Sequence, residues 1–380
     1  MANPLQERLA STAFAFRGYN VTNLGRSREL LAQQQYGPIV ERYLTEVSQI
    51  CHDVTGRQVD LPARVRRNEE TTLDSYAEAI SLIVAMSLAQ IELLEKFFDA
   101  PYRQSRMAYG YSLGELTAIT AGGVFALREV LKLPLTMADD CVALAEDVTM
   151  GVLFSRGPLL DLETVARLCL TINAEGEGVI GVSSHLAPNT VLLLGQGTTI
   201  DRFNQRMHDL FPARVYLRKN KDRWPPMHTP LVWERNINTR CGIMMHTLPG
   251  GMQKPEPPVF SLVTGKMDYN HANSRWIIYR WIDQPQRLWD AVYETLAAGI
   301  KTVIHVGPDP NLIPATYQRL SDNVSAQLTG YSPSSLGLRA MSAAAARPWL
   351  TAILPSRMAL LRAPLVEHII LEDWLIENQP

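Results

Sequence analysis

Cysteine is scarce in this chain: Cys51, Cys141, Cys169 and Cys241 are the only four in 380 residues, and none sits in C-x-x-C spacing. That scatter supports neither a disulfide framework nor a zinc site, and it predicts reduced, mostly buried thiols. Excess charge is missing as well. The 36 Lys and Arg nearly balance the 38 Asp and Glu, leaving a formal net charge of −2, so bulk attraction to nucleic acid or to an anionic membrane is not expected. No apolar run approaches the ~20 residues of a membrane span. The opening residues, Met1-Ala2-Asn3-Pro4-Leu5-Gln6-Glu7-Arg8, lack the basic start and apolar centre of a secretion signal, so a soluble cytoplasmic protein is expected. Metal-ligand clusters, phosphate-cradling loops and nucleic-acid motifs are also lacking. With 46% hydrophobic and 19% charged residues, the chain has a globular composition. It is long enough for a large core, expected as one main domain with a smaller one inserted.

Against that background one stretch stands out. Residues 110–115 read Gly110-Tyr111-Ser112-Leu113-Gly114-Glu115, a G-x-S-x-G nucleophile elbow. Such a turn crowds the backbone, so glycine is needed on either side of the serine, whose strained conformation exposes its hydroxyl. The context fits: Arg106-Met107-Ala108-Tyr109 reads as a short strand, and Leu116-Thr117-Ala118-Ile119-Thr120-Ala121 as a helix that opens at the serine. The backbone N–H of Leu113 then lies at a helix N-terminus, placed to stabilise an oxyanion. An ordinary Gly-rich turn is the alternative.

The rest of the chain supplies a setting. An apolar strand at residues 12–16 ends in Arg17-Gly18-Tyr19-Asn20. Apolar residues at spacings of three and four predict a helix over 76–98, buried against a sheet and feeding the elbow strand. Residues 148–218 read β-α-β-β-α-β, the split-βαβ ferredoxin-like pattern. The expected fold is therefore α/β, with a parallel-sheet core of the α/β-hydrolase type at 1–147 and 219–330 and a ferredoxin-like subdomain at 148–218. Residues 331–380 read as a linker followed by a docking or capping segment.

Several separated stretches then agree on one family. The chain resembles the malonyl-CoA:acyl-carrier-protein transacylases, which include the acyltransferase domains of polyketide synthases. Their G-H-S-x-G-E elbow is matched by residues 110–115, with Tyr111 in place of the histidine. Their F-H-S-P-L-M loop resembles Met227-His228-Thr229-Pro230-Leu231-Val232, their S-N-V-T-G strand Ser261-Leu262-Val263-Thr264-Gly265, and their E-V-G-P turn His305-Val306-Gly307-Pro308. The resemblance covers roughly residues 12–325.

It implies that Ser112 takes an acyl group from a thioester, with His228 as general base and then general acid, and passes it to the phosphopantetheine thiol of an acyl carrier protein. No bound cofactor is implied, because acyl-CoA and phosphopantetheine are substrates. The histidine would be oriented by a backbone carbonyl of the S-N-V-T-G strand, here that of Leu262. Three departures matter. Arg17 stands where the family has an oxyanion-loop glutamine, and could donate to an oxyanion in its place. Tyr111 is bulkier than histidine and would reshape the acyl pocket. Met137 falls where malonyl-type members carry a carboxylate-gripping arginine, beside Asp139 and Asp140, and losing that clamp should remove a preference for malonyl. The implied activity is acyl transfer from malonyl or a non-carboxylated acyl-CoA in fatty acid or polyketide biosynthesis. Alternatives are a hydrolase that clears acyl groups from carrier proteins, a non-catalytic scaffold that binds a carrier or a synthase, and a general α/β-hydrolase.

Overall fold

The computed structural model describes residues 5–211, 214–329 and 348–380. Among the described residues nine strands carry the fold: β1 (Thr12–Phe16), β2 (Met107–Gly110), β3 (Val148–Ser155), β4 (Ile180–Ala187), β5 (Thr190–Gln196), β6 (Val215–Lys219), β7 (Val259–Phe260), β8 (Thr302–Val306) and β9 (Glu367–Ile370). Five form a parallel sheet in the order β7-β2-β1-β8-β9. The remaining four form an antiparallel sheet in the order β4-β5-β3-β6. The fold is α/β, as the sequence predicts.

Parallel strands buried on both faces are apolar throughout, and β1 and β8 are buried along their whole lengths. Alternation still sorts their side chains. Phe14 and Phe16 of β1 pack with the helices of one face, while Ala13 and Ala15 pack with those of the other. The helix Tyr76–Phe98 lies in the first of these layers, with 17 side chains buried between Tyr76 and Leu94. Contrary to the expectation that no run approaches membrane length, Leu73–Phe98 is long and apolar enough to span one. Its most apolar window is 89% buried inside the protein, so burial in the core accounts for its composition.

The antiparallel sheet has the β-α-β-β-α-β element order and the strand order of a split βαβ unit. Its helices Leu162–Asn173 and Thr199–Leu210 cover one face. Gly151, Leu153, Val191 and Leu193 point into that small core, whereas Met150, Val152, Leu192 and Leu194 point to the opposite side.

The chain beyond residue 347 differs from the expected docking or capping arm. Strand β9 pairs in parallel with β8, His368 opposite Val303, and so extends the core sheet. The helix Leu371–Glu377 follows, where the buried Glu372 carboxylate accepts the backbone N–H groups of Arg26 (3.0 Å) and Asp309 (2.8 Å). A four-residue edge strand holding Glu and His carries little strand signal of its own. The expected linker, residues 332–347, lies outside the described residues.

Candidate active site

The elbow forms where β2 ends. Ser112 has φ 53° and ψ −117°, and the helix Leu113–Ala121 starts at the next residue. A Cβ on Gly110 would overlap the backbone of Gly114, and one on Gly114 would overlap the carbonyl of Phe16. Both glycines are therefore demanded by the close approach of helix and strands. The Tyr111 N–H donates to Phe16 O at 2.9 Å, the Ser112 N–H to Gln286 Oε1 at 3.1 Å, and the Trp281 indole N–H to Ser112 O at 3.0 Å. These bonds hold a positive-φ serine in a conformation that an unsupported residue would leave.

His228 completes the arrangement from a different part of the chain. Its Nε2 lies 2.7 Å from Ser112 Oγ and its Nδ1 2.7 Å from the carbonyl oxygen of Trp281. A carbonyl only accepts, so Nδ1 carries the proton and Nε2 turns a lone pair toward the hydroxyl. The backbone is fixed as tightly: His228 has φ 67° and its N–H donates to Ile282 O at 2.7 Å. Burial pushes the imidazole pKa down to about 4, and the bond to Trp281 opposes that only in part. At neutral pH the ring is uncharged and able to accept a proton.

The structure brings together Ser112, Leu113, Tyr111 and His228. It redirects two other residues named from the sequence. Arg17 was expected at the oxyanion, but its guanidinium is buried beneath the loop. There it donates to Gly18 O (2.9 Å), Asn23 Oδ1 (2.7 Å), Thr22 O (3.3 Å) and Pro308 O. Burial lowers its pKa to about 10, with Glu372, Asp309 and Glu70 as compensating charges. Arg17 is a loop clamp because the turn at Gly18 carries the backbone past the cleft while the long side chain folds back.

The carbonyl that meets His228 Nδ1 belongs to Trp281, not to Leu262. The Leu262 N–H donates to Glu115 Oε2 at 3.1 Å and its carbonyl accepts the Arg287 N–H at 2.8 Å. Glu115, the last residue of the elbow motif, thus ties the turn that follows β7, where the sequence predicts a continuing strand, to the elbow helix, with Tyr269 donating to its other oxygen at 2.7 Å. Burial raises this carboxyl to about 7.

Met137 lies near Ser112, in the break between the helices Leu127–Thr136 and Ala138–Ala145. Asp139 and Asp140 are engaged elsewhere, pairing with Arg57 (2.9 Å) and Arg240. A cleft of about 360 Å³ opens above Ser112 and His228, with Tyr111 in its wall. All four cysteines are buried free thiols, and among the described residues no three His, Cys, Asp or Glu side chains converge on a metal-sized site. Sequence reasoning missed Trp281 and Gln286. Both reach Ser112 across more than 160 residues, and neither has a local motif to mark it.

No protein-family profile matches the chain, and no curated protein matches it in sequence. Solved structures do match in three dimensions. FabD from Acinetobacter baumannii superposes with a TM-score of 0.65 at 18% identity, over 82% of this chain and 91% of that one. A malonyl transacylase solved in complex with a type II polyketide acyl carrier protein gives 0.62 at 21%, over 80% and 92%. The acyltransferase domain from the second module of the salinomycin polyketide synthase gives 0.62 at 23%, over 81% and 65%. The fold is that of the malonyl-CoA:acyl-carrier-protein transacylases. Within the transacylase fold this chain is divergent in sequence. Its core sheet, its antiparallel subdomain and the juxtaposition of elbow serine and loop histidine stand as described.

Proposed function

We propose that the protein is a serine acyltransferase that moves an acyl group from a thioester to the phosphopantetheine thiol of an acyl carrier protein. The observation that carries this reading is the 2.7 Å contact between Ser112 Oγ and an unprotonated His228 Nε2 at the floor of an open cleft. Ser112 Oγ attacks the thioester carbonyl carbon as its proton passes to His228 Nε2. The Trp281 carbonyl stabilises the imidazolium through Nδ1–H. Negative charge on the former carbonyl oxygen is met by the Leu113 N–H at the helix N-terminus. The C–S bond breaks, the departing thiolate takes the proton from His228, and Ser112 is left as an acyl ester. In the second half the carrier thiol gives its proton to His228, sulfur attacks the acyl carbon, and the Ser112 C–O ester bond breaks as Oγ takes that proton back from His228. A carrier-protein partner is supported by the carrier-bound transacylase of the same fold.

Intact-protein mass after incubation with a panel of acyl-CoAs, beside Ser112→Ala, tests the first half. A stable adduct on the parent alone is expected, and adding a phosphopantetheinylated carrier should move the adduct mass to the carrier. Free acid released in place of acyl-carrier would make the protein a hydrolase. Absence of any adduct and of any turnover would leave a scaffold that has kept the dyad without its chemistry.

A further inference from the structure

The space around the nucleophile is divided unequally. Behind Ser112 the void is only about 10 Å³, closed by Met137, Cys141 and Met227, with the Cys141 and Met227 sulfurs 3.4 Å apart. A water needs ~10–15 Å³, so no chain of atoms enters there. On the open side, Met150 and Val152 of β3 stand opposite Leu194 and Leu192 of β5. With Leu186 of β4, they form an apolar sheet face over the cleft that holds Ser112. An antiparallel sheet with one face on its own core ordinarily turns a polar face to water. Here the second face turns Met150, Leu186, Leu192 and Leu194 partly onto the main core and partly onto the cleft.

Charge in the cleft wall is as telling. Among the described residues lining it, Arg319 is the one formally charged side chain, since His228 is held neutral. Arg319 is exposed and belongs to the helix Leu312–Thr329. A cation bathed in water is screened there and does not offset the desolvation of a carboxylate laid on the sheet face.

Resting on the reading of Ser112 as the acyl acceptor, we propose that the acyl group is an uncharged aliphatic chain laid against the cleft-facing side of the antiparallel sheet. The cleft of about 360 Å³ is many times the ~10–15 Å³ that one water needs, so the thiol end of the pantetheine arm and an aliphatic chain longer than acetyl both have room.

Single-turnover acylation of Ser112, followed by intact mass with acetyl-, butyryl-, hexanoyl-, octanoyl- and malonyl-CoA, tests the proposal. Each buried methylene contributes about 0.8 kcal/mol, or about fourfold in kcat/KM, so the rate should climb with chain length from acetyl to hexanoyl. Malonyl should load at least about tenfold more slowly than butyryl, its carboxylate having no buried partner. Leu192→Trp and Leu194→Trp narrow the cleft and should each lower the octanoyl-to-acetyl ratio at least about tenfold. Labelling by a small fluorophosphonate reports whether each variant keeps a folded dyad. Ethyl and octyl fluorophosphonates read the same chain preference without a thioester. Malonyl loading equal to or faster than butyryl, or a flat length profile in either series, overturns this inference alone. Failure of every thioester to load Ser112 while fluorophosphonates label it overturns the transferase reading as well.

Discussion

Burial holds imidazole neutral both beneath the cleft and in the core sheet, and of these two places one has a nucleophile. His228 sits under the cleft with Ser112 Oγ on one nitrogen and a backbone carbonyl on the other. His305 of β8 and His368 of β9 lie side by side in the core sheet, His305 Nε2 3.0 Å from His368 Nδ1, with the rings nearly parallel and Tyr317 against both. Burial lowers all three pKa values, to about 4 for His228 and His368 and well below the ordinary range for His305. Desolvation alone therefore does not make a base. What separates the sites is what each ring faces. His228 has an acceptor that fixes its tautomer and a hydroxyl within reach of its free lone pair. His305 turns one nitrogen to another imidazole and leaves Nδ1 without a partner.

The comparison breaks most visibly at the dyad. His228→Ala should slow fluorophosphonate labelling of Ser112 by about 10²–10⁴-fold, and labelling within threefold of the parent would end the general-base assignment. Next comes Gln286, whose amide oxygen holds the Ser112 N–H and whose Nε2 lies 3.3 Å from His228 Nδ1. Gln286→Leu leaves that N–H without its acceptor, a cost of about 1–3 kcal/mol, and should slow labelling by roughly tenfold.

The pH profile sharpens the contrast further. Because His228 titrates at about 4, the labelling rate should stay level from pH 8 to about 5 and fall to half near pH 4 as Nε2 takes a proton. Gln286→Glu puts a carboxylate beside Nδ1 and should move that inflection upward. An inflection near the ordinary histidine value of about 6.5 in the parent would contradict the buried, neutral ring.

Smallest in activity is the change at the other site. A His305→Phe, His368→Leu double variant should label within twofold of the parent. Its effect belongs to stability. Both histidines have folded pKa values below the unfolded value of about 6.5, so the unfolded chain binds protons first as pH falls. Their contribution is complete above about 6.5 and is lost progressively toward pH 4. Tm measured from pH 7 to 4.5 should decline less steeply in the double variant, by the equivalent of up to about 5 kcal/mol at the acid end, from about two pH units for each of the two groups.

The elbow was legible because glycine spacing records a backbone requirement, and the overlap a Cβ would meet at Gly110 and Gly114 is that requirement in three dimensions. The split βαβ subdomain was legible because its strands and helices alternate with clear periods. Backbone partners were not. A carbonyl has no sequence signature, so the orienting group was placed at Leu262 when the chain folds to present Trp281. Arg17 was misplaced for a related reason: its residue type suits an oxyanion, but Pro308, Asn23, Thr22 and Gly18 supply acceptors on the inner side of the loop. Gln286 was invisible because its partners arrive from other elements, Ser112 from the elbow and Ser183 of β4, whose carbonyl accepts the Gln286 N–H.

The position of β9 governs the order in which this protein can be built. Residues 367–377 leave the ribosome after every segment they contact. Yet β9 completes one edge of the core sheet beside β8, and Glu372 fastens the two loops that enclose the Arg17 clamp. A nascent chain still threaded through the exit tunnel at residue 360 carries the elbow, the histidine loop and the whole antiparallel subdomain. It also carries an unpaired β8 edge, open to any passing strand. Guarding that edge until the last turn of helix emerges falls to the speed of synthesis and to whatever chaperone meets the chain.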